Sequence, residues 1–530
     1  MRRIEALQRL EDRSTTWDVL VIGGGATGLG CAVDAASRGY QTLLLEKSDF
    51  AKATSSRSTK LIHGGVRYLK QGNIPFVRES LHERGLLLRN ASHLVHRLSF
   101  VVPCYSAWEK FFYGIGLKAY DWLAGPLSLG ASRILSRDET MRCLTTLRAD
   151  RLKGGIQYFD AQFDDARMAV SLARTFSDLG GVPLNYCGVE RLLHENGKVC
   201  GAAAQDNETG RTYEVRAKTV VNATGIFTDQ IRRLDDSKAS RMMTVSQGAH
   251  VVLPKSFLPG ETALMIPKTS DGRVLFAIPW HDRAVVGTTD TPMSQPELEP
   301  RPLAEEIEFL LDHAGRYLNR VPERRDVLSV FAGLRPLVAS DGPRKTSKIS
   351  RDHTLLMSDS QLITITGGKW TTYRRMAEDA IDRAAEVGGL SQRASPTQTR
   401  ALHGWTEEGN HVSALQVYGA DAAKVESLIQ ENPDWAKPLH PSLPYTRAEV
   451  AWAVRHEMAR TVDDVLARRT RALFLDARAA MACAAEVSRL LASELGRTVE
   501  WEKEQTREFI YMASSYEAMG HERDWGQPYN

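Results

Sequence analysis

The sequence predicts an α/β fold that is followed by a separate C-terminal helical domain. Three observations predict it: an apolar run ending in closely spaced glycines near the N-terminus, two further runs of the same kind far along the chain, and a helical pattern beyond residue 401. The 530 residues, 42% of them hydrophobic, suffice for two or three domains with a large core.

The first of these runs is DVLVIGGGATGLG at residues 18–30. Residues 19–22 predict a short buried strand, and Gly23, Gly25 and Gly28 follow at GxGxxG spacing before a helical pattern that reaches residue 38. In such a junction the first glycine permits the turn, the second lets the backbone approach a pyrophosphate, and the third lets helix and strand pack closely. The run therefore predicts a dinucleotide-binding turn, with a glycine-rich turn of an ordinary α/β domain as the alternative.

A second predicted strand covers residues 42–45 and ends in Glu46, eighteen residues after Gly28. A carboxylate at this place accepts hydrogen bonds from the ribose hydroxyls of a dinucleotide. Because an acidic residue would repel a 2′-phosphate, Glu46 favours an adenosine ribose without one.

Two later strands also end in small residues. Residues 219–222 lead into Ala223, Thr224 and Gly225, and residues 361–366 lead into a double glycine, Lys369 and a helical pattern. Three such junctions predict one sheet built from separated segments, although the third is equally typical of an ordinary strand-to-helix connection. We expect a discontinuous dinucleotide-binding domain at about 17–70, 151–244 and 331–387, with an inserted α+β substrate domain at about 71–150 and 245–330.

Charge and cysteine usage exclude several classes of function. The formal net charge of +3 is nearly balanced, so nucleic acid is not an expected partner. None of the six cysteines has CxxC spacing, so neither a zinc ribbon nor a dithiol flavoenzyme is predicted, and no metal site is expected. The charged N-terminus and the lack of an apolar run of about 20 residues predict neither a secretory signal nor a membrane span. A reducing cytoplasmic environment is the simplest expectation.

Two stretches outside the glycine junctions have a distinctive composition. Residues 108–125, WEKFFYGIGLKAYDWLAG, interleave aromatic residues with lysines, which is typical of a helix lying in a membrane interface, with a helix packed in the core of the substrate domain as the alternative. A linker rich in Gly, Ser, Pro and Thr near residues 388–405 precedes the helical domain, predicted at 401–530, in which Gly496 is expected to end a helix. That domain either supports the first domain or mediates a homodimer.

Several longer motifs are specific to one family. They are ATSSRSTKLIHGGVRYL at 53–69, NATG at 222–225, GAHVVLP at 248–254, AIPWHDRAVVGTTDTP at 277–292, FAGLRPL at 331–337, GGKWTTYR at 367–374 and DDVLARRTR at 463–471. With them the chain resembles the FAD-dependent glycerol-3-phosphate dehydrogenases, within the glutathione-reductase-like flavoproteins. The resemblance runs from about residue 17 to 514.

This resemblance implies oxidation of sn-glycerol 3-phosphate to dihydroxyacetone phosphate, with hydride passing to FAD and electrons to quinone. It also implies peripheral attachment to the cytoplasmic face of a membrane. An oxygen-using glycerol-3-phosphate oxidase stays open, as do, with less support, a D-amino acid or glycine oxidase and a flavoprotein that only senses nucleotides. A second cation in the motifs favours a phosphorylated substrate, since an amino-acid oxidase needs only one arginine for its carboxylate.

The expected substrate contacts follow from the charge of the phosphate and from the matching motifs. A phosphate of about −1.5 to −2 charge calls for several cations, and Arg67, Arg335 and Lys369 are the candidates. His250 is the expected base for the alcohol proton, with His63 as its rival, and Arg335 is also expected to stabilise the developing alkoxide. Further substrate contacts are expected from Thr288 and Thr289, for which turn capping is the alternative. The residues expected to bind the cofactor are Gly23, Gly24, Gly25, Gly28, Glu46, Ser55, Ser56, Lys60, His63, Gly64, Ala223, Thr224, Gly225, Gly368, Lys369 and Thr371.

Overall fold

The computed structural model describes residues 1–12, 14–69, 72–338, 352–407 and 415–519. Within these ranges the strands are β1 (Thr16–Ile22), β2 (Thr42–Leu45), β3 (Leu61–Ile62), β4 (Val95–Cys104), β5 (Arg133–Leu135), β6 (Gly154–Phe163), β7 (Val182–Leu184), β8 (Cys187–Glu195), β9 (Lys198–Asp206), β10 (Thr212–Asn222), β11 (Met243–Pro254), β12 (Thr262–Ile266), β13 (Leu275–Trp280), β14 (Arg283–Gly287), β15 (Thr291–Met293), β16 (Ser329–Val338), β17 (His353–Met357) and β18 (Ile363–Gly367).

The α-helices of the same ranges alternate with these strands and then continue alone toward the C-terminus. They are α1 (Arg3–Glu11), α2 (Ala26–Ser37), α3 (Val66–Leu69), α4 (Ile74–Asn90), α5 (Ala107–Ala124), α6 (Arg137–Cys143), α7 (Asp165–Asp178), α8 (Thr228–Asp235), α9 (Ala304–Gly315), α10 (Tyr373–Val387), α11 (Ala422–Glu431), α12 (Arg447–Glu457), α13 (Ala472–Leu475), α14 (Ala477–Leu495) and α15 (Val499–Ala513).

The first sheet carries all three glycine junctions. Its strand order is β17, β18, β10, β1, β2, β7, and β18, β10, β1, β2 and β7 run parallel to one another. Strands β8 and β9 extend β10 in antiparallel fashion. Because β1, β10 and β18 are neighbours and parallel, their carboxyl ends lie at one edge, where an open α/β sheet binds its ligand. The prediction of one sheet from separated segments is confirmed.

The second sheet is mostly antiparallel and stands beside that edge. Its order is β15, β11, β14, β13, β12, β4, β6, β3, with β16 on β11 and β5 on β6. Strands β6 and β16 lie within stretches expected to belong to the dinucleotide-binding domain, yet both hydrogen-bond in this second sheet. The overall fold class is confirmed, and the domain boundaries stay a prediction.

The C-terminal helices share a core with the second sheet. Phe100 and Phe331 of the sheet pack in one buried apolar cluster with Phe474 and Leu491 of the helices. Gly496 ends α14 in a left-handed conformation, with φ of 63°, as its position after the helical pattern predicts. No helix in the described ranges has the length and apolar character to cross a membrane.

Candidate active site

The first junction forms a tight cradle between β1, α2 and the end of β10. Gly23 has φ of 110°, and a Cβ added to Gly28 would lie 1.9 Å from its carbonyl oxygen. A Cβ on Gly23 would in turn lie 2.7 Å from the carbonyl oxygen of Ala223. These two positions therefore require glycine, one for the turn and both for close packing.

The remaining glycines of the cradle fit a bound dinucleotide. A Cβ on Gly225 would meet no atom within 4 Å, so the backbone there faces open space, whereas a Cβ on Gly25 would lie 3.1 Å from the Ser55 hydroxyl. The Glu46 carboxylate accepts hydrogen bonds from the amides of Gly24, at 2.6 Å, and Ser48, at 2.8 Å. Burial raises the pKa of Glu46. The cradle thus joins open backbone, a helix start and a carboxylate, which is the set that FAD requires.

The residues between β2 and β3 divide into two groups. The Ser55 hydroxyl accepts a hydrogen bond from the amide of Ala26, the first residue of α2, at 2.9 Å, so it lies at the cradle. Ser56 is buried, and its carbonyl oxygen accepts a bond from the Lys60 ammonium at 2.8 Å. Lys60 is fully buried and also binds Asp165 at 2.7 Å. The structure therefore brings Ser55 to the cradle but not the Lys60 ammonium, whose pKa burial lowers to about 7.

The third junction closes over the same edge. Gly368 has φ of 67°, and a Cβ there would lie 2.3 Å from the Met376 sulfur. The Trp370 indole donates to the Ser55 carbonyl at 2.8 Å, and the Thr371 hydroxyl donates to the His63 carbonyl at 3.4 Å. These bonds place the start of the last helix of the first sheet beside residues 55–63.

A pocket of about 170 Å³ opens where this edge meets the second sheet. Four predicted site residues line it: His63, Thr288, Thr289 and Arg335. The Lys369 ammonium lies 4.0 Å from the ring centroid of Phe76 and does not line it. Gly64 is buried beside Leu81 and Tyr120, and the Arg67 side chain lies outside the described part of the chain.

The Arg335 guanidinium is held at the pocket wall by the 288–290 turn. It donates to the Thr288 hydroxyl at 3.0 Å and to the Thr289 carbonyl at 2.9 Å, and it lies 3.4 Å from an Asp290 oxygen. The Thr289 hydroxyl donates to Glu306 at 2.7 Å. Thr288 therefore faces the pocket with Arg335, whereas the Thr289 hydroxyl, which also accepts from the amide of Ala249 at 2.8 Å, ties the turn to β11 and α9.

His250 lies behind the pocket wall, not on it. It is 2% exposed, its ring stacks on Phe331, and its Nε2 lies 2.9 Å from the Thr59 hydroxyl, which does line the pocket. Burial, followed by the charges of Lys60 and Arg335, holds the pKa of His250 well below 6.5. The ring is therefore neutral near pH 7.

Sequence reasoning did not assign five polar residues of this pocket to the site. They are Thr59, Tyr158, Asp160, Arg273 and Asp290. Asp160 is buried and accepts bonds from Arg84 and from the Tyr120 hydroxyl, both at 2.8 Å. Thr59 falls within the quoted motif at 53–69, which is the nearest signal in the sequence. Asp160 lies on β6 and Arg273 lies just before β13, and only the folding of the second sheet brings them to the same pocket.

Comparison with known proteins agrees with this architecture. Residues 18–374 match the family model described as FAD dependent oxidoreductase, and residues 359–506 match the C-terminal domain of alpha-glycerophosphate oxidase. The chain is 39% identical to a mitochondrial glycerol-3-phosphate dehydrogenase of Arabidopsis thaliana, over 94% of this chain and 85% of that one. It is 40% identical to the mitochondrial enzyme of Homo sapiens, over 95% of this chain and 74% of that one.

A solved structure extends the likeness to three dimensions. The glycerol-3-phosphate dehydrogenase of Bacillus halodurans, complexed with FAD, superposes with a TM-score of 0.79 at 30% identity and covers 97% of each chain. An L-alpha-glycerophosphate oxidase of Mycoplasma pneumoniae shares the fold, with a TM-score of 0.57 at 16% identity over 73% of this chain and 98% of that one. The chain belongs to the family of FAD-dependent glycerol-3-phosphate dehydrogenases.

Proposed function

We propose that this enzyme oxidises sn-glycerol 3-phosphate at C2 to dihydroxyacetone phosphate and passes the electrons on to a quinone. The observation that carries the proposal is the pocket at the edge of the FAD cradle, where the guanidinium of Arg335 and the hydroxyl of Thr288 face one small space. When bound, FAD supplies the hydride acceptor for the C2 hydrogen. A pocket of about 170 Å³ suits a three-carbon phosphate ester.

The phosphate group selects the substrate in this proposal. Arg335 contributes the positive charge of its guanidinium to the pocket wall, and Arg273, which also lines the pocket, adds a second guanidinium. Arg67 is proposed as a further cation of this set, whereas Lys369, which does not line the pocket, is assigned to the cofactor. Glycerol, which lacks the phosphate, would make no charge-assisted hydrogen bonds with these cations.

The alcohol proton is proposed to leave through Thr59 to His250. The C2 hydroxyl gives its proton to the Thr59 oxygen while the hydroxyl proton of Thr59 moves to Nε2 of His250, 2.9 Å away. His250 is neutral because it is buried, and in the tautomer that carries its proton on Nδ1 the Nε2 atom receives the proton from Thr59. Arg335 stabilises the negative charge that develops on the substrate oxygen.

Lys369 and the helix start at residues 370–372 are proposed to favour the reduced cofactor. Both place positive charge at the edge of the sheet, because helix amides carry the positive end of the helix dipole. Such charge stabilises an anionic ring system and raises its reduction potential.

Membrane attachment is proposed to occur through the α5 aromatic face, defined as Trp108, Phe111, Phe112, Ile115 and Trp122. All five side chains are exposed, whereas Gly114, Leu117, Tyr120 and Ala124 on the opposite face are buried. Exposed aromatic rings on one side of a helix are typical of interfacial binding. The face supports attachment at the cytoplasmic surface of the membrane that holds the quinone.

Flavin absorbance tests the substrate and the acceptor separately. When glycerol 3-phosphate is mixed anaerobically with the oxidised holoenzyme, the flavin absorbance should decrease rapidly. Glycerol, glycine and D-alanine should leave the absorbance unchanged. Subsequent addition of a quinone analogue should restore the colour faster than air does. Fast reoxidation by air with formation of peroxide would instead identify an oxidase, and bleaching by an amino acid but not by glycerol 3-phosphate would overturn the substrate.

A further inference from the structure

Residues 46–57, here called the bridging segment, fix the backbone of the FAD cradle. The amide of Ala51 donates to the Gly24 carbonyl at 3.0 Å, and Glu46 accepts from the Gly24 amide at 2.6 Å. Ser55 accepts from the amide of Ala26 at 2.9 Å. The position of the cradle therefore depends on the conformation of the bridging segment.

The C-terminal domain holds this segment from the other side. The Asp49 carboxylate, which is fully buried, accepts from Arg468 Nε at 2.6 Å and from Arg469 Nη1 and Nη2 at 2.6 and 2.8 Å. Farther along the segment, Arg471 donates to the Ser56 carbonyl at 2.8 Å. The three arginines come from one stretch, residues 468–471, more than 400 positions from their partners.

A buried carboxylate of this kind depends on its cations. Burial by itself raises the pKa of Asp49, and the charges of Arg469 and Arg468 lower it instead to about 2. Without them the segment would carry an uncompensated buried charge at its centre, which strongly favours a conformation that exposes Asp49 to water. Because Asp49 lies two residues before Ala51, that change would move the segment away from Gly24.

We propose that the C-terminal helical domain is part of the FAD site, because Arg468 and Arg469 act through Asp49 to hold the bridging segment against the cradle. They are positioning residues, since they act on the cradle through Asp49 and the bridging segment. The domain thus has a role in binding the cofactor that does not depend on the identity of the substrate or of the electron acceptor.

A matched pair of arginine variants separates this role from simple docking of the domain. Arg469→Met removes the paired hydrogen bonds to Asp49. Arg460→Met is the control, because Arg460 binds Glu208 in the same two-pronged way, at 2.6 and 2.7 Å, and so also ties the C-terminal domain to the first sheet. Glu208 lies between β9 and β10, outside the bridging segment.

The measurement is the dissociation constant of FAD, obtained by titrating the apoprotein of each full-length variant and following flavin fluorescence. If the competent conformation falls to one molecule in ten or fewer, the apparent dissociation constant rises at least about tenfold. We expect this for Arg469→Met and for Asp49→Asn, which keeps the shape of the side chain. The double variant should show little further loss, since both changes break the same contact, and Arg460→Met should stay within about twofold of the wild type.

Three results would overturn the proposal. One is wild-type affinity for FAD in either Arg469→Met or Asp49→Asn, with the fold checked by circular dichroism. Another is an equal loss of affinity in Arg460→Met, which would assign the effect to docking of the domain. The third is that both test variants unfold while the control folds, because the contact would then serve the stability of the whole chain.

Discussion

Replacing Phe111 and Trp122 by serine should weaken binding to anionic liposomes by about two orders of magnitude. The two residues are 59% and 82% exposed, so with about 200 Å² per aromatic side chain they offer about 280 Å² of apolar surface. At about 25 cal/mol per Å² this area corresponds to about 7 kcal/mol if it is fully buried in lipid. Half burial, which suits an interfacial helix, gives about 3.5 kcal/mol, or about 300-fold in the partition coefficient.

The assay is co-sedimentation of the holoenzyme with liposomes over a range of lipid concentrations, at low and high salt. Ile4→Ser combined with Ile510→Ser is the control, because it removes exposed apolar side chains away from the α5 aromatic face. That variant should bind as the wild type does, and the flavin content of all variants should be equal. Wild-type partitioning of the Phe111 and Trp122 double variant would refute the assignment of this face to the membrane.

Four further predictions concern the active site and the FAD cradle. Arg335→Lys should lower kcat/KM for glycerol 3-phosphate by about 10- to 150-fold in steady-state assays, which is the equivalent of one charge-assisted hydrogen bond. An unchanged kcat/KM would show that Arg335 does not contact the substrate. Because the pKa of His250 lies below 6.5, kcat should stay level as pH falls from 8 to 6.5 and decrease only below that. Unfolding returns the pKa of His250 to its ordinary value, so below pH 6.5 the unfolded chain takes up a proton that the folded chain does not. The free energy of unfolding should therefore decrease as pH falls from 6.5 toward the lower folded-state pKa, which denaturant titrations with and without His250→Asn would detect. Gly28→Ala should yield protein with little FAD, because its Cβ would lie 1.9 Å from the Gly23 oxygen. The control Gly116→Ala, whose Cβ would meet no atom within 4 Å, should keep the cofactor. Equal FAD content in the two variants would contradict the tight cradle.

The sequence by itself determined the local parts of this protein. The turn at Gly23, the carboxylate of Glu46 at the end of β2 and the helix end at Gly496 were all predictable, because each depends on residues within a few turns of chain. The resemblance of longer motifs then identified the family. The sequence also showed that residues 108–125 are rich in aromatic side chains, although the spacing of these residues did not decide whether the rings face the core or the solvent.

Only the tertiary structure decided which side chains meet. Lys60 is close in sequence to Ser55, yet its ammonium is buried against Asp165, while His250 reaches the pocket only through Thr59. Periodicity and motifs predict the secondary structure of a segment. The orientation of a buried charged side chain, however, is set by the partner that neutralises it. Here those partners come from distant strands and from the C-terminal domain. Two sheets and one helical domain pack around a single edge. This packing divides the predicted motif residues into buried ones that stabilise the fold, such as Lys60, and ones that face the pocket, such as Arg335.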